Sequence, residues 1–165
     1  MNNNLTSRFQ TASLTHAAII AALYIVLTFI ANALGLANYA IQVRFSESLT
    51  ILPYFTKAAI PGLFIGCLLS NILTGCAVPD IVFGSLATLI GAIITYALRK
   101  YKWMAPIAPI LSNTIIIPFV LLYAYGIKPL WFSFATVLAG EIISCGILGM
   151  LLLFSLEKYR RILFS

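Results

Sequence analysis

The chain has 165 residues, of which 62% are hydrophobic and only 8% charged. Soluble domains carry about 25% charged residues, so this composition excludes an ordinary soluble domain and points to an integral membrane protein. The net charge of +6 does not imply a nucleic-acid partner, because the Lys and Arg residues sit at the ends of apolar runs, where they hold loops on the cytoplasmic side.

In chain order, the polar start MNNNLTSRFQTASLTH leads into a first span over residues 14–36. This run is too long for a signal-peptide core and shows no clear cleavage site, so a retained span is expected. Its Ala17, Ala18, Ala21 and Ala22 are spaced by three and four, forming a small-residue patch that another helix can approach closely. Packing within the bundle and docking of another protein both fit that patch. Residues 40–56 are the weakest span. Arg44 and Glu47 lie three apart, and Pro53 would kink a helix. An outer loop with a short tilted helix is expected there, carrying either a local ion pair at the membrane edge or a polar lid over a site.

The third span, residues 58–75, repeats Gly62, Gly66, Ser70 and Thr74 every four positions and adds the amide of Asn71. Asp80 then stands in a short turn, where an N-cap role is expected ahead of a binding role. The fourth span, 80–98, ends in the basic cluster RKYKW. The fifth, 104–125, holds Asn113 at mid-depth, and Pro118 leaves the Thr114 carbonyl without its helical donor. The sixth, 130–156, carries Ala135, Ala139, Ile142, Gly146 and Gly149 on one stripe by the 3.6 period. Glu141 points away from that stripe, about ten residues into the run, or about 15 Å at 1.5 Å per residue. A charge there costs at least about 2.5 kcal/mol, so it faces a partner or a wet cavity. The expectation is that Glu141 receives hydrogen bonds from a small polar molecule.

No phosphate-binding G-x-x-x-x-G-K-[ST] loop, serine elbow or histidine cluster is present. His16 is the single histidine, and Cys67, Cys76 and Cys145 show neither metal spacing nor a disulfide framework. No catalytic residue, metal site or cofactor is therefore expected. With both ends cytoplasmic, six spans place eight basic residues inside and Arg44 and Lys128 outside, but a five-span arrangement satisfies the charge rule equally. What remains is a small apolar bundle with a few buried polar groups: a binder that needs an engine elsewhere.

The runs QVRFSESLTILPYFTKAAIPGLFIGCLLSN, PDIVFGSLATLIGA, APIAPILSNTIIIPF and LAGEIISCGILG resemble the QueT family, substrate-binding S components of energy-coupling factor (ECF) transporters. The resemblance implies an all-α, six-helix membrane domain in a bacterial cell membrane with both termini cytoplasmic. It implies uptake of queuosine precursors, which are deazaguanine bases, and an ECF module of one transmembrane scaffold and two ATPases. Ala17, Ala18, Ala21 and Ala22 would dock that scaffold. A guanine-like edge presents adjacent N–H donors, which a carboxylate accepts well. Glu141 would hold that edge and Asn113 would orient the ring, with Phe45, Tyr39 or Trp131 stacking on it. Glu47 and Arg44 would close the outer mouth. Alternatively Glu47 would meet a cationic arm, or hold the ring edge itself. Two other readings are the same fold carrying another vitamin-like compound and a structural or channel-forming membrane protein.

Overall fold

The computed structural model describes residues 2–36 and 43–163, and every regular element among them is helical. Helix α1 (Asn2–Ala33) is followed by a 3-10 helix (Phe45–Tyr54), α2 (Ala59–Leu73), α3 (Val78–Ala97), a single 3-10 turn (Lys102–Met104) and α4 (Ile107–Tyr125). The last long rod is composite: α5 (Leu130–Glu141), a π-helical stretch (Ile142–Gly149) and α6 (Met150–Glu157), with the short α7 (Arg160–Leu163) after it. Four stretches are long and apolar enough to cross a bilayer: Gln10–Ala33, Val78–Ala97, Lys102–Tyr125 and Leu130–Glu157. Helix α2, at 15 residues, is about 22 Å long and falls short of a ~30 Å hydrocarbon core. Large apolar side chains such as Leu14, Phe29, Ile72, Phe83, Ile115 and Leu151 point outward around the bundle. A water-facing surface does not tolerate so much contiguous apolar area, whereas a lipid-facing one requires it.

Small residues let the helices meet at backbone distance. A Cβ on Gly62 would lie 2.7 Å from the Ala17 carbonyl oxygen, and one on Gly66 would lie 3.1 Å from Ala21 Cα. The alanine patch on α1 is thereby divided. Ala17 and Ala21 are buried against α2, while Ala18 and Ala22 face outward. A Cβ on Gly91 would meet Pro109 Cα at 2.9 Å, which is the corresponding close approach of α3 to α4.

The weak second span resolves as a 3-10 helix of 10 residues, with Ser46, Glu47, Leu49, Thr50, Ile51 and Leu52 all buried. Such runs rarely exceed 3–4 residues. Here local side chains hold it: Ser48 Oγ donates to the Phe45 carbonyl at 2.6 Å and Thr50 Oγ1 to the Glu47 carbonyl at 2.6 Å. Irregular backbone at membrane depth persists only where protein surrounds it, and this segment sits in the core with Tyr24, Leu63 and Leu153 around it. Arg44 and Glu47 form no ion pair with each other. The salt bridge found among the described residues joins Lys102 to Glu157 at the opposite end of the bundle.

Two further expectations are corrected. Asp80 is not an N-cap: Ala77 caps α3 without a side-chain bond, and Asp80 lies inside the first turn. On the last rod the expected packing stripe turns outward at Ala135 and Ile142, while Ser133, Gly140, Glu141, Ser144, Cys145 and Gly149 are buried. Polar side chains in an apolar solvent take the inward face. The face that carries Glu141 is therefore the packed face.

Candidate ligand-binding site

Two irregular segments lie against each other at the centre of the bundle. The Arg44 amide donates to Ser144 Oγ at 3.1 Å, and Cys145 Sγ lies 3.3 Å from both the Glu47 carbonyl and Thr50 Oγ1. A Cβ on Gly149 would sit 3.1 Å from Ile51 Cγ2, so an added methyl group would make Ile51 give by a few tenths of an ångström. This contact places Glu47 and Glu141, from opposite halves of the chain, side by side. Asn113 on α4 stands between them. Its Nδ2 donates to Glu141 Oε1 at 2.9 Å and, over a longer 3.4 Å, to Glu47 Oε2. Cys145 Sγ lies 3.1 Å from Glu141 Oε2, and the Tyr24 hydroxyl donates to Glu47 Oε1.

The two carboxyl groups, Asn113 and Arg44 line a small inner cavity of about 20 Å³ together with Gly84, Thr88, Ile117 and Val137. That volume is close to the room one water needs. Beside it lies a cavity of about 450 Å³, within the range that holds small organic ligands. Its walls come from the ends of α1, α2 and α4 and the start of α3, with Thr28, Arg44, Asn71, Asp80 and Tyr125 as polar members. Arg44 and Ile117 line both spaces, so the two cavities adjoin at these side chains.

Of the residues expected to bind a ligand, Glu47, Glu141, Asn113 and Arg44 come together. Phe45 is half-buried and Trp131 is 70% exposed, edge-on to Phe132 at 6.1 Å; neither lines either cavity. Tyr39 lies outside the described residues. The sequence reading missed Tyr24, which hides in an apolar run and is marked only by a hydroxyl that needs a partner at depth. It also missed Tyr125, whose pairing with Asp80 across α3 and α4 has no sequence-local signal, and it preferred a capping role for Asp80. One O or S atom each from Glu47, Glu141 and Cys145 lies within 4.8 Å of the others, a donor set that sequence spacing hides. Asn113 already occupies a lone pair on each carboxyl group, and an ammonium-like or N–H donor suits the remaining positions as well as a cation does.

A family model described as QueT transporter matches residues 14–158. The chain belongs to the QueT transporter family. A curated relative, the queuosine precursor transporter QueT of Lactococcus lactis subsp. cremoris (strain MG1363), is 37% identical over 81 residues, covering 49% of this chain and 47% of that protein. The match thus spans about half the length of that relative. No solved structure matches the chain. Membership in a transporter family accords with four apolar spans around a buried polar cluster, and the chain is a multi-pass membrane protein.

Proposed function

We propose that this chain is the substrate-capturing S component of an ECF importer in a bacterial cell membrane, and that its guest is a deazaguanine-type queuosine precursor. The observation that carries this reading is a buried pair of carboxyl groups, bridged by one amide, on a small inner cavity that shares Arg44 and Ile117 with a polar cavity of about 450 Å³. A guanine-like edge offers adjacent N–H donors that suit these acceptors, and charge-assisted bonds of this kind are the stronger ones. Arg44 would supply a donor for the ring carbonyl, while Asn113, with its NH2 on the two carboxyl groups, holds these in place. The 3-10 helix and the short α2 would complete six spans, with both termini cytoplasmic. Lys57, Arg99, Lys100, Lys102, Lys158 and Arg160 all fall at the end of the bundle away from the large cavity. The positive-inside rule then turns the cavity outward, as capture from outside requires.

The family's transport role and the relative's printed substrate support the choice of guest. The scaffold and two ATPases would supply the energy, with the outward-facing Ala18 and Ala22 available for docking. The test is calorimetric binding of 7-deazaguanine compounds to purified protein, set beside a panel of vitamins. Saturable binding of the deazaguanines alone is expected. Binding of a vitamin in their place would transfer the fold to another cargo, and no saturable binding of anything would favour a structural role.

A further inference from the structure

The end of the bundle away from the large cavity has a surface that the capture site does not use. Of the four acidic residues in the chain, Glu47, Asp80 and Glu141 line the two cavities, and Glu157 is at this opposite end. Lys102 pairs with Glu157, and its Nζ lies 4.9 Å from the centre of the Phe154 ring. Trp103 meets the same ring edge-on at 5.7 Å. These contacts clasp the 3-10 turn before α4 to the end of α6.

The clasp gathers positive charge. Arg99 and Lys100 precede Lys102 by three and two residues, and Lys158 and Arg160 follow Glu157 by one and three. At no more than about 3.6 Å per residue, each lies within about 11 Å of a clasp residue. That is close to the Debye length of about 10 Å at 0.1 M salt, so the fields of the two pairs add. All four are exposed, and none has a carboxylate within 4 Å among the described residues. Their neighbours are rings instead: Arg99 lies 4.2 Å over Tyr96 and Arg160 5.7 Å over Tyr54.

Holding loops on one side of a membrane requires basic residues there but no particular grouping. The grouping calls for a further reason. Tyr101 and Trp103 are 66% and 70% exposed beside the cations, and tyrosine and tryptophan favour the level of the lipid headgroups. The four charges are thus held at the depth of phosphodiester groups, and the one acid near them is already paired with Lys102.

We propose that this surface is a docking site for anionic phospholipid headgroups, with Arg99 and Lys100 on one flank of the clasp and Lys158 and Arg160 on the other. An acidic protein would meet the same charges, but the exposed rings beside them favour lipid. The site is independent of the capture function and stands whichever way the chain is oriented. Each basic residue near a membrane surface adds about a fivefold preference for anionic lipid.

The two tryptophans report the two ends separately, since Trp131 is in the first turn of α5, at the other end of the bundle. Trp131→Phe and Trp103→Phe each leave one reporter. Each variant is reconstituted in phosphatidylcholine bilayers with either phosphatidylglycerol or phosphatidylcholine brominated on its acyl chains, and fluorescence quenching is measured. At Trp103 the anionic lipid is expected to show an apparent association constant at least about fivefold above that of the zwitterionic lipid. At Trp131 the two constants should be equal. Adding 1 M NaCl, which cuts the Debye length to about 3 Å, should reduce the preference at Trp103 by at least about half. Replacing Arg99, Lys100, Lys158 and Arg160 together by Gln should abolish it. Equal constants at Trp103, an equal preference at both tryptophans, or a preference that survives the four substitutions would overturn the proposal; the first of these would assign the surface to an acidic protein. Should the fourfold variant fail to insert or fold, the salt titration of the unsubstituted surface carries the test, and a preference insensitive to salt would overturn it.

Discussion

The substitution Glu141→Gln tests the inner site most directly. Gln matches Glu in shape, so the outcome turns on which carboxylate oxygen becomes an amide. Asn113 Nδ2 donates to Oε1 at 2.9 Å, so the Gln oxygen must keep that position. Its NH2 then replaces Oε2, 3.1 Å from Cys145 Sγ, which is a tolerable weak acceptor. The fold should therefore lose only about 1 kcal/mol, the net worth of an ordinary hydrogen bond. The guest fares worse. One of its two donors now meets a donor, and a hydrogen bond to a charged acceptor is worth about 1.5–3 kcal/mol. At 1.4 kcal/mol per factor of ten, the dissociation constant should rise about 10- to 150-fold. Titration calorimetry with 7-deazaguanine on detergent-solubilised protein measures this, with a thermal melt to verify folding. An affinity within about twofold of wild type, on folded protein, would refute the placement of Glu141 at the ring edge.

Tyr24→Phe deletes the hydroxyl that donates to Glu47 and leaves a fully buried oxygen short of a donor. Thermal or denaturant unfolding should show a loss of about 1–3 kcal/mol. Gly66→Ala pushes a methyl group to 2.7 Å from Tyr24 Cβ and 3.1 Å from the Ala21 backbone, so α1 and α2 must separate. A loss of about 1–3 kcal/mol by the same measurement is expected, together with weaker ligand binding as Tyr24 is displaced from Glu47. Lys102→Ala removes a partly exposed ion pair with Glu157 at the far end of the bundle, and should change stability by no more than about 1 kcal/mol and binding not at all.

Much of the fold was legible because a bilayer constrains sequence strongly. Runs of about 20 apolar residues become helices, since no other arrangement satisfies their backbone polar groups in lipid. The Gly62/Gly66 ridge and the alanines at 17 and 21 each marked a surface for close approach without naming its partner, and the structure packs the two against each other. The 3-10 helix was not legible. Its polar side chains and Pro53 look like an edge loop, and only its enclosure by neighbouring helices makes a buried irregular segment stable. The rotation of the last rod was misjudged for a related reason. The small-residue stripe reads as the packing face, whereas the polar face with Ser133, Glu141, Ser144 and Cys145 is the one that turns away from lipid.

By itself the sequence determined that the chain lives in lipid, that its polar residues at 113 and 141 need partners there, and that no ATP-hydrolysing phosphate loop lies within it. Those conclusions follow from the cost of placing charge and bare backbone in hydrocarbon, which depends on residue type and depth alone. The tertiary structure decided that Glu47 joins Glu141 across Asn113, that Tyr24 completes the set, and that Asp80 faces a cavity instead of capping a helix. Each of those is a meeting of distant segments, set by how two irregular stretches pack, and no local pattern in the chain encodes it.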